Sequence, residues 1–222
     1  MLSHIKPSNG VAGFLLANGA LNDSDTLRIR KKLIENDKVE AIIVLPRELF
    51  ITTDISVTLW ILNQNKKGGK YHGRIQRNRE HEILFMDLRT WTENPVKNEN
   101  KKKVELKTDQ IERAAKIYHD WQCEGVDGSK YEVPELYRSV KVFNSQLTEE
   151  EKKNNVNTIE SCGWTLTPSK YIEFIDHDLD IDYEKEMKRI QQEMIDVLDI
   201  EKKSQSMLES AFKGIGYGIK KD

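Results

Sequence analysis

Cysteine is almost missing from this 222-residue chain. Cys123 and Cys162 stand far apart, so neither a disulfide framework nor a zinc-type Cys-x-x-Cys pair can be built, and a reducing cytoplasm is the expected compartment. An excess of either charge is also lacking. With 35 Lys+Arg against 37 Asp+Glu the net charge is -2, which excludes a uniformly basic nucleic-acid coat and confines any anion site to a local patch. No apolar run approaches the roughly 20 residues of a membrane span. The start, Met1 to Lys6, has no apolar signal core, so secretion is not expected. No internal repeat is found. His4, His72, His81, His119 and His177 show no metal-ligand spacing, and there is no Gly-x-Ser-x-Gly elbow for a serine nucleophile.

What is present is a composition 32% charged and 37% hydrophobic, suited to a soluble protein with a long solvated helix. A domain of about 150 residues buries roughly 70% of its unfolded surface, so a core forms without disulfides. Val11 to Ala17, short, apolar and preceded by the turn Lys6 to Gly10, predicts a strand buried on both faces. Asp23 to Asn36 predicts a helix behind an Asp23/Ser24/Asp25 capping cluster. Val39 to Leu45, stopped by Pro46, and Ser56 to Leu62 predict two central strands. The first two strands and their helix form a crossover unit, and the short gap before Ser56 lets the third run lie antiparallel beside the second. A fourth strand is predicted at Ile83 to Leu88, after which the sheet is expected to end.

Arg89 to Lys107 is polar and behaves as a linker. Asp109 to Gln122, capped by Thr108, places Ile111, Ala114, Ala115, Tyr118 and Trp121 on one helical stripe. Gly125 to Tyr171 has no clear period. Ile181 to Phe212 predicts a long charged helix with Tyr183, Met187, Ile190, Met194, Val197 and Leu198 on a seam that breaks at Glu201 to Gln205.

Several patterns imitate chemistry and fail. Asp176, Asp178, Asp180 and Asp182 lack the Gly and Glu of a calcium loop. Gly214-x-Gly216-x-Gly218 has neither a strand before it nor room for a helix after it. Glu93-Asn94-Pro95-Val96 lacks the second proline and the aromatic of an amine-holding motif. Lys66 to Arg79 carries more weight: Lys66, Lys67, Lys70, Arg74, Arg77 and Arg79 are interleaved with Tyr71 and Gly68, Gly69 and Gly73, with no acidic residue among them. Such a loop suits a phosphate backbone, and equally a solvated hairpin. Phe50, after Pro46 to Leu49, puts a large ring in a loop at the sheet rim, where it packs a neighbour or meets a ligand.

Taken in order, Gly10 to Leu21, Leu27 to Glu35, Val39 to Pro46, Leu49-Phe50, Ser56 to Leu62, Ile83 to Asp87, Gly163-Trp-Thr-Leu-Thr-Pro168 with Tyr171, and Gly214-Ile-Gly-Tyr217 resemble the second half of the catalytic domain, and the downstream landmarks, of type I restriction-modification methyltransferase (M) subunits. The resemblance implies an α/β fold. Residues 1–90 are then a partial Rossmann-like S-adenosylmethionine-dependent sheet, 91–175 a linker, helix and irregular extension, and 176–222 a helical C-terminal tail. It also implies transfer of methyl from S-adenosylmethionine to adenine N6 in DNA by the intact enzyme.

By the same resemblance, Val11 to Ala17 matches the family's fifth strand. The glycine-rich cofactor turn and the Asn-Pro-Pro-aromatic motif are then absent, a carboxy-terminal fragment or truncated gene product is expected, and no cofactor or catalytic residue is expected in this chain alone. Asn18 and Phe50 fall in the target-base pocket, where extrusion and stacking of the base precede methyl transfer. The basic loop is assigned to the DNA backbone, and Met187, Ile190, Met194 and Leu198 to an interface with the specificity subunit. DNA and the specificity and restriction subunits are the expected partners, with no metal and no membrane, and a half sheet is expected to self-associate. The competing reading is a non-catalytic module that only docks the specificity subunit.

Overall fold

Six consecutive buried residues, Val39–Val44, form the strand around which the other elements are arranged. The computed structural model describes residues 2–50, 54–71, 73–91, 97–98, 101–102, 104–123, 135–173, 183–214 and 216. In chain order the strands are β1 (Val11–Ala17), β2 (Val39–Val44), β3 (Val57–Asn63), β4 (Gly69–Tyr71), β5 (Arg74–Gln76), β6 (Glu82–Asp87), β7 (Lys97–Asn98), β8 (Lys101–Lys102) and β9 (Tyr137–Lys141). The helices are α1 (Leu27–Glu35), α2 (Thr108–Cys123), α3 (Glu149–Lys153) and α4 (Tyr183–Gly214).

A five-stranded mixed sheet has the order β1-β3-β2-β6-β9, and β4-β5 and β7-β8 are separate two-stranded hairpins. β3 lies antiparallel to β2, as the short gap before Ser56 allows, and its other edge pairs antiparallel with β1, while β2 and β6 run parallel. β1, β2 and β6 therefore point the same way. One face of the sheet buries Ile34, Ile42, Trp60, Phe85, Ile159 and Leu166. The other buries Ala41, Ile43, Leu84, Met86 and Trp121, with Ala114, Ile117 and Tyr118 of α2 packed on it. Alternating residues of β2 and β6 thus face two cores, which is why both strands read as continuous apolar runs.

Four expectations change. β1 has the predicted bounds but is an edge strand, with Val11 and Leu15 nearly half exposed; an apolar run reports side-chain chemistry, not how many strands lie beside it. The sheet does not end at Leu88, because β9 pairs antiparallel with β6. Its sequence, Tyr-Arg-Ser-Val-Lys, mixes polar and apolar residues as a short edge strand does. α1 begins at Leu27 rather than Asp23, since the Asp23 carboxylate accepts from the Asp25 amide and holds a turn instead. On α2, Ile111 is exposed and Ile117 takes its place in the packed stripe.

The Gly163 to Pro168 segment is a clasp. Trp164 sits at φ 64° after Gly163 at φ 69°. This turn directs its carbonyl to the Arg30 Nε donor at 2.8 Å, and the buried Arg30 guanidinium also donates to the carbonyls of Ala20 and Asp23. The Leu166 amide donates to the Leu21 carbonyl at 2.9 Å, and the Tyr171 hydroxyl to the Thr165 carbonyl at 2.6 Å. These landmarks of the sequence therefore tie the end of the first unit to α1.

The chain divides into two compact units, residues 1–174 and 175–222. In the second, α4 is one helix of 32 residues that continues through Glu201 to Gln205, so the break in its seam is a break in apolarity and not in backbone. Met187, Ile190, Met194, Val197 and Leu198 are exposed along it, and Arg189 bridges Glu186 and Glu193 one turn to either side. Among the described residues no helix is long and apolar enough to cross a membrane. The Asp176 to Asp182 cluster, the Glu93 to Val96 turn and most of the terminal glycine run lie outside the described residues.

Candidate functional site

Where β1 and β2 leave the sheet, their carboxyl ends form a rim. Asn18 follows β1 in a 3-10 turn, Asn18–Leu21, and the buried Thr58 of β3 donates its hydroxyl to Asn18 Oδ1 at 2.7 Å. That bond leaves the Asn18 amide nitrogen as a donor of fixed direction. Beyond β2, Ser56 Oγ donates to the Leu45 carbonyl at 2.6 Å and Arg47 Nε to the Asp54 carbonyl. Together they hold residues 45–47 beside 54–56 at this rim. Phe50 sits half-buried in it, and the Val104 amide donates to the carbonyl of Glu48, itself at φ 60°. Asn18 and Phe50 are thus brought to the same edge of the sheet, the edge at which α/β sheets bind ligands.

The basic loop is elsewhere. β3 runs from Thr58 beside Asn18 to Asn63 beside the β4-β5 hairpin, and five residue steps at ~3.4 Å put the two sites roughly 17 Å apart. Nor are its six cations alike. Lys66 is buried, its ammonium donating to Asp37 Oδ1 at 2.7 Å and to the carbonyls of Val39 and Glu82; burial lowers its pKa and Asp37 offsets part of that. Arg79 is fully buried against Glu40 at 3.0 Å. Arg77 pairs with Glu82 at 2.7 Å and lies over the Trp121 ring. Only Lys67, Lys70 and Arg74 are exposed. The segment expected to be one flexible cationic loop is therefore a hairpin whose base is nailed into the core by three of its own cations.

At the centre of that base is Glu40, a residue without a role in the sequence reading. The β2-β3 register slips between Val39 and Ala41, making Glu40 the extra residue of a bulge and aiming its side chain, like that of Ala41, toward α2. Its Oε2 accepts from Asn63 at 2.7 Å and from the Tyr118 hydroxyl at 2.9 Å, its Oε1 from Arg79 at 3.0 Å and Gln122 at 3.3 Å. Burial and the Glu40 carboxylate both raise the Tyr118 pKa, keeping that phenol a proton donor. The signal for this network was in the sequence: one carboxylate inside the apolar run Val39 to Val44 requires a buried partner. No spacing links that carboxylate to its partners, which lie between residues 63 and 122. No cluster of metal-ligating side chains is found among the described residues.

Comparison with known proteins accords with this architecture. The model of the N-6 DNA methylase family matches residues 1–180. A type I restriction enzyme HindI methylase subunit of Haemophilus influenzae is 32% identical over 176 residues, covering 78% of this chain and 32% of its own. A type I restriction enzyme MjaIX methylase subunit of Methanocaldococcus jannaschii is 27% identical over 218 residues, 96% of this chain and 33% of its own. The chain thus spans about a third of the length of these relatives. Among solved structures, a type I restriction-modification methyltransferase subunit from Streptococcus thermophilus superposes with a TM-score of 0.53 at 20% identity, over 78% of this chain and 29% of that one. This likeness bears on the fold.

Proposed function

Because the chain belongs to the N-6 DNA methylase family, we propose that it forms the second half of a Rossmann-like catalytic sheet in a type I restriction-modification methyltransferase, whose intact form moves methyl from S-adenosylmethionine to adenine N6 in DNA. The observation that carries this reading is the rim, where Asn18, anchored through Thr58, and Phe50 share the carboxyl edge of parallel strands. An aromatic ring there can stack on an extruded adenine, and a fixed amide can meet its polar edge. The glycine-rich cofactor turn and the Asn-Pro-Pro-aromatic motif would come from the rest of the subunit, so this chain alone is proposed to be inactive and without a cofactor. The exposed face of α4 is the proposed contact with the specificity subunit. Lys67, Lys70 and Arg74, the loop's exposed cations, are proposed phosphate ligands, at the sheet end away from the base.

In the assembled enzyme, Phe50→Ala is expected to slow methylation by about 1–3 kcal/mol, roughly 5- to 150-fold, while DNA binding changes much less. Methyl transfer from labelled cofactor and a binding titration on the same preparation measure both. Equal loss of the two would mean that Phe50 supports the loop and not the base.

A further inference from the structure

We propose that the cavity roofed by the β4-β5 hairpin binds a phosphate monoester of nucleotide size through Lys70 and Arg74. This deepens the phosphate-ligand reading of those two cations, and it is independent of methyl transfer at the rim.

The cavity holds about 370 Å³, within the range of ~300–1,000 Å³ typical of small-molecule sites. Its floor is built in advance. Asn63, Tyr118 and Gln122 line it, and all three donate to the same buried Glu40 carboxylate, so none is free to collapse inward. Its roof is fixed as well. Gly68, at φ 85°, has no room for a side chain, because a Cβ would lie 2.6 Å from the Arg77 carbonyl. The Tyr71 hydroxyl donates to the Asn9 carbonyl at 3.0 Å, tying the hairpin to the turn before β1.

Charge selects the ligand class. Glu40 is matched by Arg79 behind the floor, and Lys66 and Arg77 are matched by Asp37 and Glu82. Lys70 and Arg74, by contrast, line the cavity and have no acidic partner among the described residues. Two unmatched cations beside a recess walled by neutral amides make it electropositive, and a guanidinium beside an ammonium suits the oxygens of a phosphate. The rings of Tyr71, Tyr118 and His119 on the same walls offer flat surfaces to a base. A free nucleotide and the terminal phosphate of a nucleic-acid strand share this chemistry.

The test is calorimetry on the 222-residue chain with adenosine 5′-monophosphate, adenosine and inorganic phosphate. Saturable binding of the monophosphate is expected, at least ~tenfold tighter than either adenosine or phosphate alone, and weakened at least ~tenfold by combining Lys70→Ala with Arg74→Ala. Both side chains are exposed, and an unchanged circular dichroism spectrum will confirm that this variant folds. Lys32→Ala, an exposed cation of α1 outside the cavity, should leave affinity within about twofold. Comparison of 5′-phosphorylated with 5′-hydroxyl tetrathymidylate distinguishes the sources: a preference for the phosphorylated strand beyond that for the mononucleotide assigns the site to strand ends, and the reverse assigns it to free nucleotide. No saturable heat with the monophosphate at ~1 mM, about 4 kcal/mol of affinity, overturns the proposal. So does a Lys32→Ala loss equal to that of the double variant, which would signal diffuse attraction.

Discussion

Glu40→Ala is expected to destabilise the unit of residues 1–174 by about 3–5 kcal/mol, because it leaves the fully buried Arg79 guanidinium without its carboxylate. For a unit of this size that lowers the melting temperature by roughly 6–20 °C. Asn63, Tyr118 and Gln122 lose an acceptor at the same time, so the hairpin and the end of α2 should lose hydrogen-exchange protection before the strands between them do. Pairing Glu40→Met with Arg79→Met removes both charges. Since the two side chains share one network, this double variant should be less destabilised than the sum of its single changes. Thermal unfolding of the parent, Glu40→Ala, the two single Met variants and the double variant decides the matter: strict additivity, or a Glu40→Ala shift below ~2 °C, less than a kcal/mol on the same scale, would mean that the carboxylate does not organise this end of the sheet.

Loss of a partner is the second large effect. On α4, Met187, Ile190, Met194 and Leu198 are exposed and recur every three or four residues, on a helix otherwise crowded with Glu, Lys, Asp and Gln. A helix polar on its other faces is stable when such a stripe is covered, and the flexible thioethers of Met187 and Met194 adapt to a partner's surface. Ile190→Asp combined with Met194→Asp should abolish co-purification with the specificity subunit, since it sets two carboxylates in an apolar seam. The mixed sheet should stay folded, with only a small loss of helical signal. Co-purification of the double variant at the parental yield would move the docking surface off this seam.

Both variants act on features unequally visible in the sequence. The α4 seam is local: a repeat of three and four residues announces itself within one helix, and the backbone follows it for 32 residues. The Glu40 network is the opposite case. Its carboxylate stands out in an apolar run, but Asn63, Arg79, Tyr118 and Gln122 come from β3, the hairpin base and α2, and ordinary spacing links none of them to residue 40.

By itself, the sequence determined the strands β1, β2, β3 and β6, the helices α1, α2 and α4 to within a few residues, the antiparallel placing of β3 beside β2, and the family, because apolar period, turn residues and ordered motifs are written along the chain. Only the tertiary structure decided that β1 is an edge, that β9 extends the sheet, and that six neighbouring cations divide into three that hold the hairpin to the core and three that face solvent. The physical reason is that a charged side chain's role is set by the partner it meets. Lys66 and Lys67 are adjacent and identical in chemistry. One ends 2.7 Å from Asp37, with its ammonium surrounded by acceptors, and the other ends in water, because successive residues there project to opposite sides of a chain entering the core.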